Sequence, residues 1–208
     1  MSNTYWYYNS NGHHAIKKLQ EKNFIKNIIT QNVDELHQNS GTKNVINLHG
    51  SNHEIICLNC RKISTRKEYQ ERLEFENEKF LNEHKIFETR SDGDVELSET
   101  TKFEEMRIPN CVDCNGILKP NVVFFGESVH SSIVDSIKNM ILNESNGVLV
   151  VGSSLQVFSS FRFLKFSLEH KIPIAIVNIG ETRADSFCNL KIEGKCSEVL
   201  NFLSNSIQ

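Results

Sequence analysis

The chain has 208 residues, 38% of them hydrophobic and 24% charged, enough for one sizeable domain and a small module. Its formal net charge of -3 argues against a nucleic-acid-binding surface. No apolar run approaches the about 20 residues that a membrane span needs, so no membrane association is expected. The opening Met1-Ser2-Asn3-Thr4-Tyr5-Trp6 has neither a positive n-region nor an Arg-rich presequence. Either there is no targeting peptide, or the true N-terminus lies upstream.

Residues 13–22 read as a helix, with Ile16 and Leu19 apolar among Lys17, Lys18 and Glu21. The run 24–30 reads as a short buried strand ending in the polar cluster Gln31-Asn32-Val33-Asp34. A second loop, Asn47-Leu48-His49-Gly50, leads to Cys57-Leu58-Asn59-Cys60, and a matching knuckle follows at Cys111-Val112-Asp113-Cys114. Two Cys-x-x-Cys pairs supply four thiolates, the full tetrahedral set of a structural Zn²⁺. Such a closed site has no open position for substrate, so the chemistry must lie elsewhere. Cys188 and Cys196 are expected to be free.

Between the knuckles, residues 66–87 are rich in Glu, Lys and Arg, with Tyr69, Leu73, Phe80 and His84 on one side of a predicted helix. Asp92-Gly93-Asp94 signals a turn. Because both knuckles must close on one metal, this stretch is an insertion within the zinc module. The segment 118–127 reads as an extended strand behind a proline, and 130–142 as a helix. Residues 148–152 form a near-continuous apolar strand, of the kind buried in a parallel sheet, running into Ser153-Ser154. A helix over 159–170, a strand over 173–177 ending in Asn178-Ile179-Gly180, a possible strand at 190–192 and a closing helix over 197–203 complete the chain.

This alternation predicts a parallel α/β sheet. Ligands of such sheets bind beyond the carboxyl ends of the strands. Three strand ends here carry polar or glycine clusters: 31–34, 152–154 and 178–180. Together they argue for a nucleotide site.

Taken in order, Thr30-Gln31-Asn32-Val33-Asp34-Glu35-Leu36-His37, Leu48-His49-Gly50, the two knuckles, Lys119-Pro120-Asn121-Val122-Val123-Phe124-Phe125-Gly126-Glu127, Val151-Gly152-Ser153-Ser154-Leu155-Gln156-Val157 and Asn178-Ile179-Gly180 resemble the sirtuins, NAD-dependent protein deacylases. The insertion Ser91–Glu99, Gly152-Ser153-Ser154 and the late Cys196 resemble the class II, sirtuin-four-like mitochondrial branch.

The resemblance implies a Rossmann-like NAD-binding domain over 1–54 and 118–208, with a small inserted zinc-ribbon domain over 55–117 holding one Zn²⁺ on Cys57, Cys60, Cys111 and Cys114. It implies that an acyl-lysine protein reacts with NAD, releasing nicotinamide and forming O-acyl-ADP-ribose, or that ADP-ribose passes to protein. His49 would be the general base on the ribose hydroxyls, a task that suits imidazole. Asn32 and Asp34 would hold the nicotinamide ribose and carboxamide, with Gln31 on the ribose hydroxyls and Val33 beside them. Gly152 would let the backbone approach the cofactor, and Ser153 and Ser154 would offer hydroxyls. Asn178, Ile179 and Gly180 would meet the adenosine ribose, and Cys196 the adenine. Strand-end capping is the alternative role for Asn32 and Asp34, and a buried free thiol the alternative for Cys196. The substrate peptide would add as a strand between Val123, Phe124, Gly126 and Glu127 on one side and Val157 on the other. The mitochondrial matrix is implied by resemblance alone, with cytoplasm or nucleus as the alternative.

The family's glycine-rich phosphate loop and its Asp-Phe-Arg lid are not found, since the ten glycines include no Gly-x-Gly. The opening Tyr5–His14 already resembles the stretch beyond that lid. The sheet is therefore expected to lack its first strand and pyrophosphate cradle, which would weaken NAD binding. An inactive, zinc-stabilised module that binds acylated proteins is the alternative function.

Overall fold

The computed structural model describes residues 11–83 and 103–207, together with the short strands at 88–89 and 95–96. The expected turn at Asp92–Asp94, His84 and Phe87 of the predicted charged helix, the opening Tyr5–Ser10 and most of Ser91–Glu99 lie outside the described residues. Within them the chain forms two compact units, residues 51–122 and residues 11–50 with 123–207. No described helix is long and apolar enough to cross a membrane.

The larger unit starts with α1 (Asn11–Glu21), whose Ala15 and Leu19 are buried. Strand β1 (Ile28–Thr30) leads to the single turn α2 (Leu36–Asn39), and β2 (Val45–Asn47) pairs in parallel with β1. Sequence periodicity places a strand over 24–30. Only its last three residues join a ladder, because Phe24 and Ile25 close the end of α1 through hydrogen bonds to the Leu19 carbonyl.

The chain leaves this unit at Gly50, where β3 (Gly50–Cys57) begins, and pairs antiparallel with β4 (Ile63–Thr65). Helix α3 (Arg66–Glu76) and α4 (Glu78–Glu83) follow, then β5 (Glu88–Thr89), β6 (Val95–Glu96), a 3₁₀ turn at Phe103–Glu105 and β7 (Leu118–Val122). Strands order as β4-β3-β7, so the small unit extends outward from the expected 55–117 to take in both flanking strands.

The charged stretch does not form one helix. The buried Asn77 amide donates to the Leu73 and Arg107 carbonyls and accepts from the Arg107 N–H at 2.7 Å. That pairing mimics a backbone bridge and splits α3 from α4. The start of α3 is a capping box: Thr65 Oγ1 accepts from the Glu68 N–H, and the Glu68 carboxylate accepts from the Thr65 N–H. Thr65→Ala is expected to cost about 1 kcal/mol, read as a lower chemical-denaturation midpoint.

Back in the larger unit come α5 (Ser131–Glu144), β8 (Val148–Val151), α6 (Phe158–Glu169), β9 (Ile174–Asn178), β10 (Leu190–Glu193) and α7 (Cys196–Ser206). Strands β8, β9 and β10 form a parallel sheet in the order β10-β9-β8, with Val150 of β8 and Ile174, Ile176 and Val177 of β9 buried. Leu48, Ile137, Ile141, Val150, Leu164, Ile174 and Ile176 form one core, with Ile29 and Ile46 of the β1–β2 pair packed against it. On the other side, Ala15, Leu19 and Leu200 join α1 to α7, with Val151 against them. Helices thus cover parallel strands from two sides, the α/β architecture that brings several strand ends together.

Candidate functional site

The four knuckle sulfurs all lie within 4.8 Å of one another. Cys57 Sγ is 3.5 Å from Cys114 Sγ, and Cys60 Sγ is 3.7 Å from Cys111 Sγ. A tetrahedron of Zn–S bonds of about 2.3 Å has sulfurs about 3.8 Å apart, so this set fits zinc. The two knuckles share one backbone form. In each, the N–H four residues after the first cysteine donates to its carbonyl (Arg61 to Cys57, Asn115 to Cys111), and that donor residue is left-handed. Gly116 is forced: a Cβ there would stand 2.7 Å from Asn59 Cβ and 3.0 Å from Cys57 Sγ.

Thiols this close cannot all ionise without a cation. The Asn59 side chain, then the Gly116 N–H, hold Cys114 down to about 6. On Cys60 the Lys62 N–H favours the thiolate. The Cys114 sulfur, desolvation and the other two sulfurs outweigh it and push Cys60 up to about 12. Zinc uptake would bring all four to thiolate and release protons.

In the larger unit the expected residues gather at strand ends. Beyond β1, the Gln31 side-chain amide donates to Ser153 Oγ at 3.0 Å, tying the end of β1 to the end of β8. Ser153 Oγ also accepts from the Leu155 N–H. Leu155 has φ of 58°, a left-handed conformation for a branched residue, and its side chain is buried in the core that holds it there. Gly152, at φ of 62°, donates its N–H to the Val177 carbonyl at 2.9 Å. Cys196 Sγ lies 3.5 Å from that same carbonyl, and a Cβ on Gly152 would meet this sulfur at 3.4 Å. Cys196, Gly152 and the end of β9 therefore share one spot. Ser154 is exposed, and its carbonyl accepts from the Arg183 N–H.

Asn178 is buried, and its amide donates to the carbonyls of Ile179 and Gly180. Its amide nitrogen thus shapes the loop. Lys191 Nζ donates to the Gly180 carbonyl and pairs with Asp185, a clamp that sequence reasoning missed. Lys191, then Thr182, hold the Asp185 carboxyl down to about 2.

Asp34 accepts from the Leu36 N–H at 3.1 Å and caps the turn into α2, where Glu35 is left-handed. Asn32 and Val33 lie in the same loop; the Asn32 N–H donates to Thr30 Oγ1, and Asn32 is exposed. His37 of α2 meets His13 of α1 edge to face at 4.7 Å. Burial lowers the His13 pKa, with Asp34 opposing and His14 adding. Burial also lowers that of His37, with His13 adding and Asp34 opposing. The unfolded chain then takes protons that the folded one resists. Stability is full above the ordinary value of 6.5 and is lost as pH falls through the lowered folded values. Urea midpoints are expected to be lower at about pH 5.5 than at about pH 7.5, with a smaller gap in a His13→Gln, His37→Gln variant.

His49 follows the fully buried Leu48. Its Nδ1 lies 3.2 Å from the Gln31 carbonyl, and its Nε2 lies 2.7 Å from Ser159 Oγ in the first turn of α6. Its own carbonyl accepts from the Val123 N–H at 2.9 Å. The imidazole therefore stands just beyond β2, between the end of β1 and the first turn of α6, beside the segment that starts at Val123. That segment is not the extended strand expected through 127. After Val122, the Glu127 N–H donates to the Phe124 carbonyl, the Phe124 N–H donates to the Glu127 carboxylate, and Gly126 has φ of 90°. The tight turn leaves Phe124 and Phe125 exposed, and Val157 and Phe158 are exposed as well.

The Sir2 family model matches residues 2–159. An NAD-dependent protein deacylase, Sirt4, of Drosophila melanogaster is 43% identical over 188 residues, 90% of this chain and 59% of that protein. NAD-dependent protein deacetylase 1 of Mycobacterium avium is 41% identical over 94% of this chain and 69% of that protein. The human NAD-dependent protein lipoamidase sirtuin-4, mitochondrial, is 40% identical over 90% of this chain and 59% of that protein. The chain thus spans under two thirds of the length of the fly and human relatives. Among solved structures, a Sir2 complex with p53 peptide and NAD+ aligns with a TM-score of 0.71 and 28% identity, covering 94% of this chain and 69% of that one. A family match across residues 2–159 and a shared fold over 94% of the length agree with the strand-end cluster: the chain belongs to the Sir2 family.

Proposed function

We propose that the chain carries the catalytic base and most of the cofactor contacts of an NAD-dependent protein-lysine deacylase, with ADP-ribosyl transfer as the related outcome. The observation that carries this reading is the His49 imidazole, held between the Gln31 carbonyl at the end of β1 and Ser159 in the first turn of α6. The larger unit would bind NAD, and the small unit would hold the structural zinc.

The residues fit a dinucleotide by their chemistry. The ends of β1, β8 and β9 offer an exposed Asn32, the Ser153 and Ser154 hydroxyls, the Gly152 backbone and the Asn178 carbonyl oxygen. Hydroxyl and amide groups of this kind suit ribose and carboxamide, and Cys196 beside Gly152 offers a soft, apolar surface to a base. NAD supplies a ribose carbon that becomes electrophilic as nicotinamide departs. His49 takes a proton from a ribose hydroxyl on Nε2, its lone-pair nitrogen. Leu48 anchors the ring's backbone in the core, and Gln31 holds the ring's other nitrogen. The exposed Phe124, Phe125, Val157 and Phe158 would cover an acyl-lysine and exclude water, with Val123, Gly126 and Glu127 shaping the peptide side. Acylated proteins are the proposed substrates. The mitochondrion, and within it the matrix, is the proposed compartment; the human relative's name gives it as mitochondrial.

The test is a panel of acyl-lysine peptides with NAD and the zinc-loaded chain, scored by nicotinamide release. Release with at least one acyl group supports the reading. Peptide binding with no release on any member would favour the inactive binding module instead.

A further inference from the structure

We propose that Ser159 is a positioning residue for the catalytic imidazole, holding His49 in one orientation both as neutral base and as protonated acid. This rests on the role given to His49 above. It goes beyond that role by assigning a partner to the ring's reactive nitrogen.

The Gln31 carbonyl, 3.2 Å from Nδ1, can only accept, so Nδ1 carries the ring proton. Nε2 then bears the one lone pair available to a substrate. Ser159 Oγ, 2.7 Å away, donates its proton to that lone pair. A hydroxyl is both donor and acceptor. Nε2 has one lone pair, so a substrate hydroxyl displaces the Ser159 proton from it as the transfer begins; once Nε2 carries the substrate's proton, the Ser159 oxygen accepts from the new N–H, while the Nδ1–H bond to Gln31 persists. Nδ1 stays bonded throughout, and Ser159 holds Nε2 before and after the transfer, so the ring keeps one orientation in its neutral and protonated states. A backbone N–H in place of the hydroxyl would oppose protonation, and a carboxylate would trap the imidazolium. Of the three, the hydroxyl alone serves both states.

The placement has a structural cause. Ser159 lies in the first turn of α6, directly after the exposed Val157 and Phe158, while Phe161, Phe163 and Leu164 of that helix are buried in the core. The packed helix fixes where the hydroxyl stands, and the buried Leu48 fixes where the ring stands. Hydrogen bond and core packing thus act together.

The experiment compares Ser159→Ala, Ser159→Thr and Ser159→Val, because Thr and Val have nearly the same shape and differ in the hydroxyl. In the ¹⁵N spectrum of His49, recorded without NAD, the wild type and the Thr variant are expected to show a protonated Nδ1 and a hydrogen-bonded, lone-pair Nε2. The Val and Ala variants are expected to lose the hydrogen-bond signature at Nε2. Nicotinamide release is expected to fall about tenfold in kcat for Val and Ala, the factor of one ordinary hydrogen bond, with the peptide KM little changed. The Thr variant is expected to rescue it. A wild-type proton on Nε2 rather than Nδ1, or a Val variant equal to wild type in spectrum and rate, overturns the proposal. If no variant and no wild type releases nicotinamide, the deacylase reading fails, and the nitrogen spectra alone decide the role of Ser159.

Discussion

Cys111→Ala will strip the metal and unfold residues 51–122. The cysteine is buried, and its sulfur stands 3.7 Å from that of Cys60. With three thiols left, the site no longer closes a tetrahedron, and zinc affinity falls steeply. In small zinc modules, metal binding supplies on the order of 10 kcal/mol of folding free energy. Among the described residues the small unit has a three-stranded sheet with Ile55 and Ile56 buried, while α3 buries no residue, so the metal is a large part of what holds it. The hydrogen bonds of the knuckles also depend on it: Cys57 N–H to Lys62 carbonyl, Leu58 N–H to Ile117 carbonyl and Cys111 N–H to Gly116 carbonyl. Elemental analysis is expected to give one zinc per wild-type chain and none in the variant. Limited proteolysis is expected to cut the variant within 51–122 while 123–207 survives. A variant with full zinc and no new cuts would show that the four sulfurs do not form the metal site.

His49→Ala is the second large effect, and it differs in kind. The ring is half-buried, and its loss removes two hydrogen bonds of about 1 kcal/mol each, so the fold should survive. General-base catalysis contributes about 10²- to 10⁴-fold to rate, and nicotinamide release or acyl transfer is expected to fall by that factor. Zinc content should stay unchanged, which separates this result from that of Cys111→Ala. An alanine variant as fast as wild type would remove His49 from the chemistry and with it the main support for the proposed function.

Parts of this were legible in the sequence for identifiable reasons. The knuckles were legible because ligand spacing is local. Strands β8 and β9 were legible because Val148–Val151 and Ile174–Val177 are apolar runs bounded by glycine and proline signals. Strand β2, three residues of mixed character, is too short for any periodicity. The break between α3 and α4 was not legible, since its cause is Asn77 binding the backbone of Arg107, 30 residues away. The expected strand over 118–127 fails at Val122 because the Glu127 carboxylate and Gly126 wind the chain into a turn, which apolar content alone does not reveal.

The candidate site divides the same way. The strand-end clusters and His49 could be marked from residue type and position. Their connections could not. Gln31 touches Ser153 across 122 residues, His49 touches Ser159 across 110, and Lys191 reaches Gly180 and Asp185 only once β10 is beside β9. Asp34 shows the limit of residue type most plainly. Its carboxylate caps α2 through the Leu36 N–H, the turn-capping role open to any Asp at a strand end.

The most direct test is a crystal structure of the zinc-loaded chain soaked with NAD. The dinucleotide is expected across the ends of β1, β8 and β9, with a hydroxyl of the nicotinamide ribose within hydrogen-bonding distance of His49 Nε2. A dinucleotide bound elsewhere, or a well-ordered imidazole turned away from a bound ribose, would contradict it.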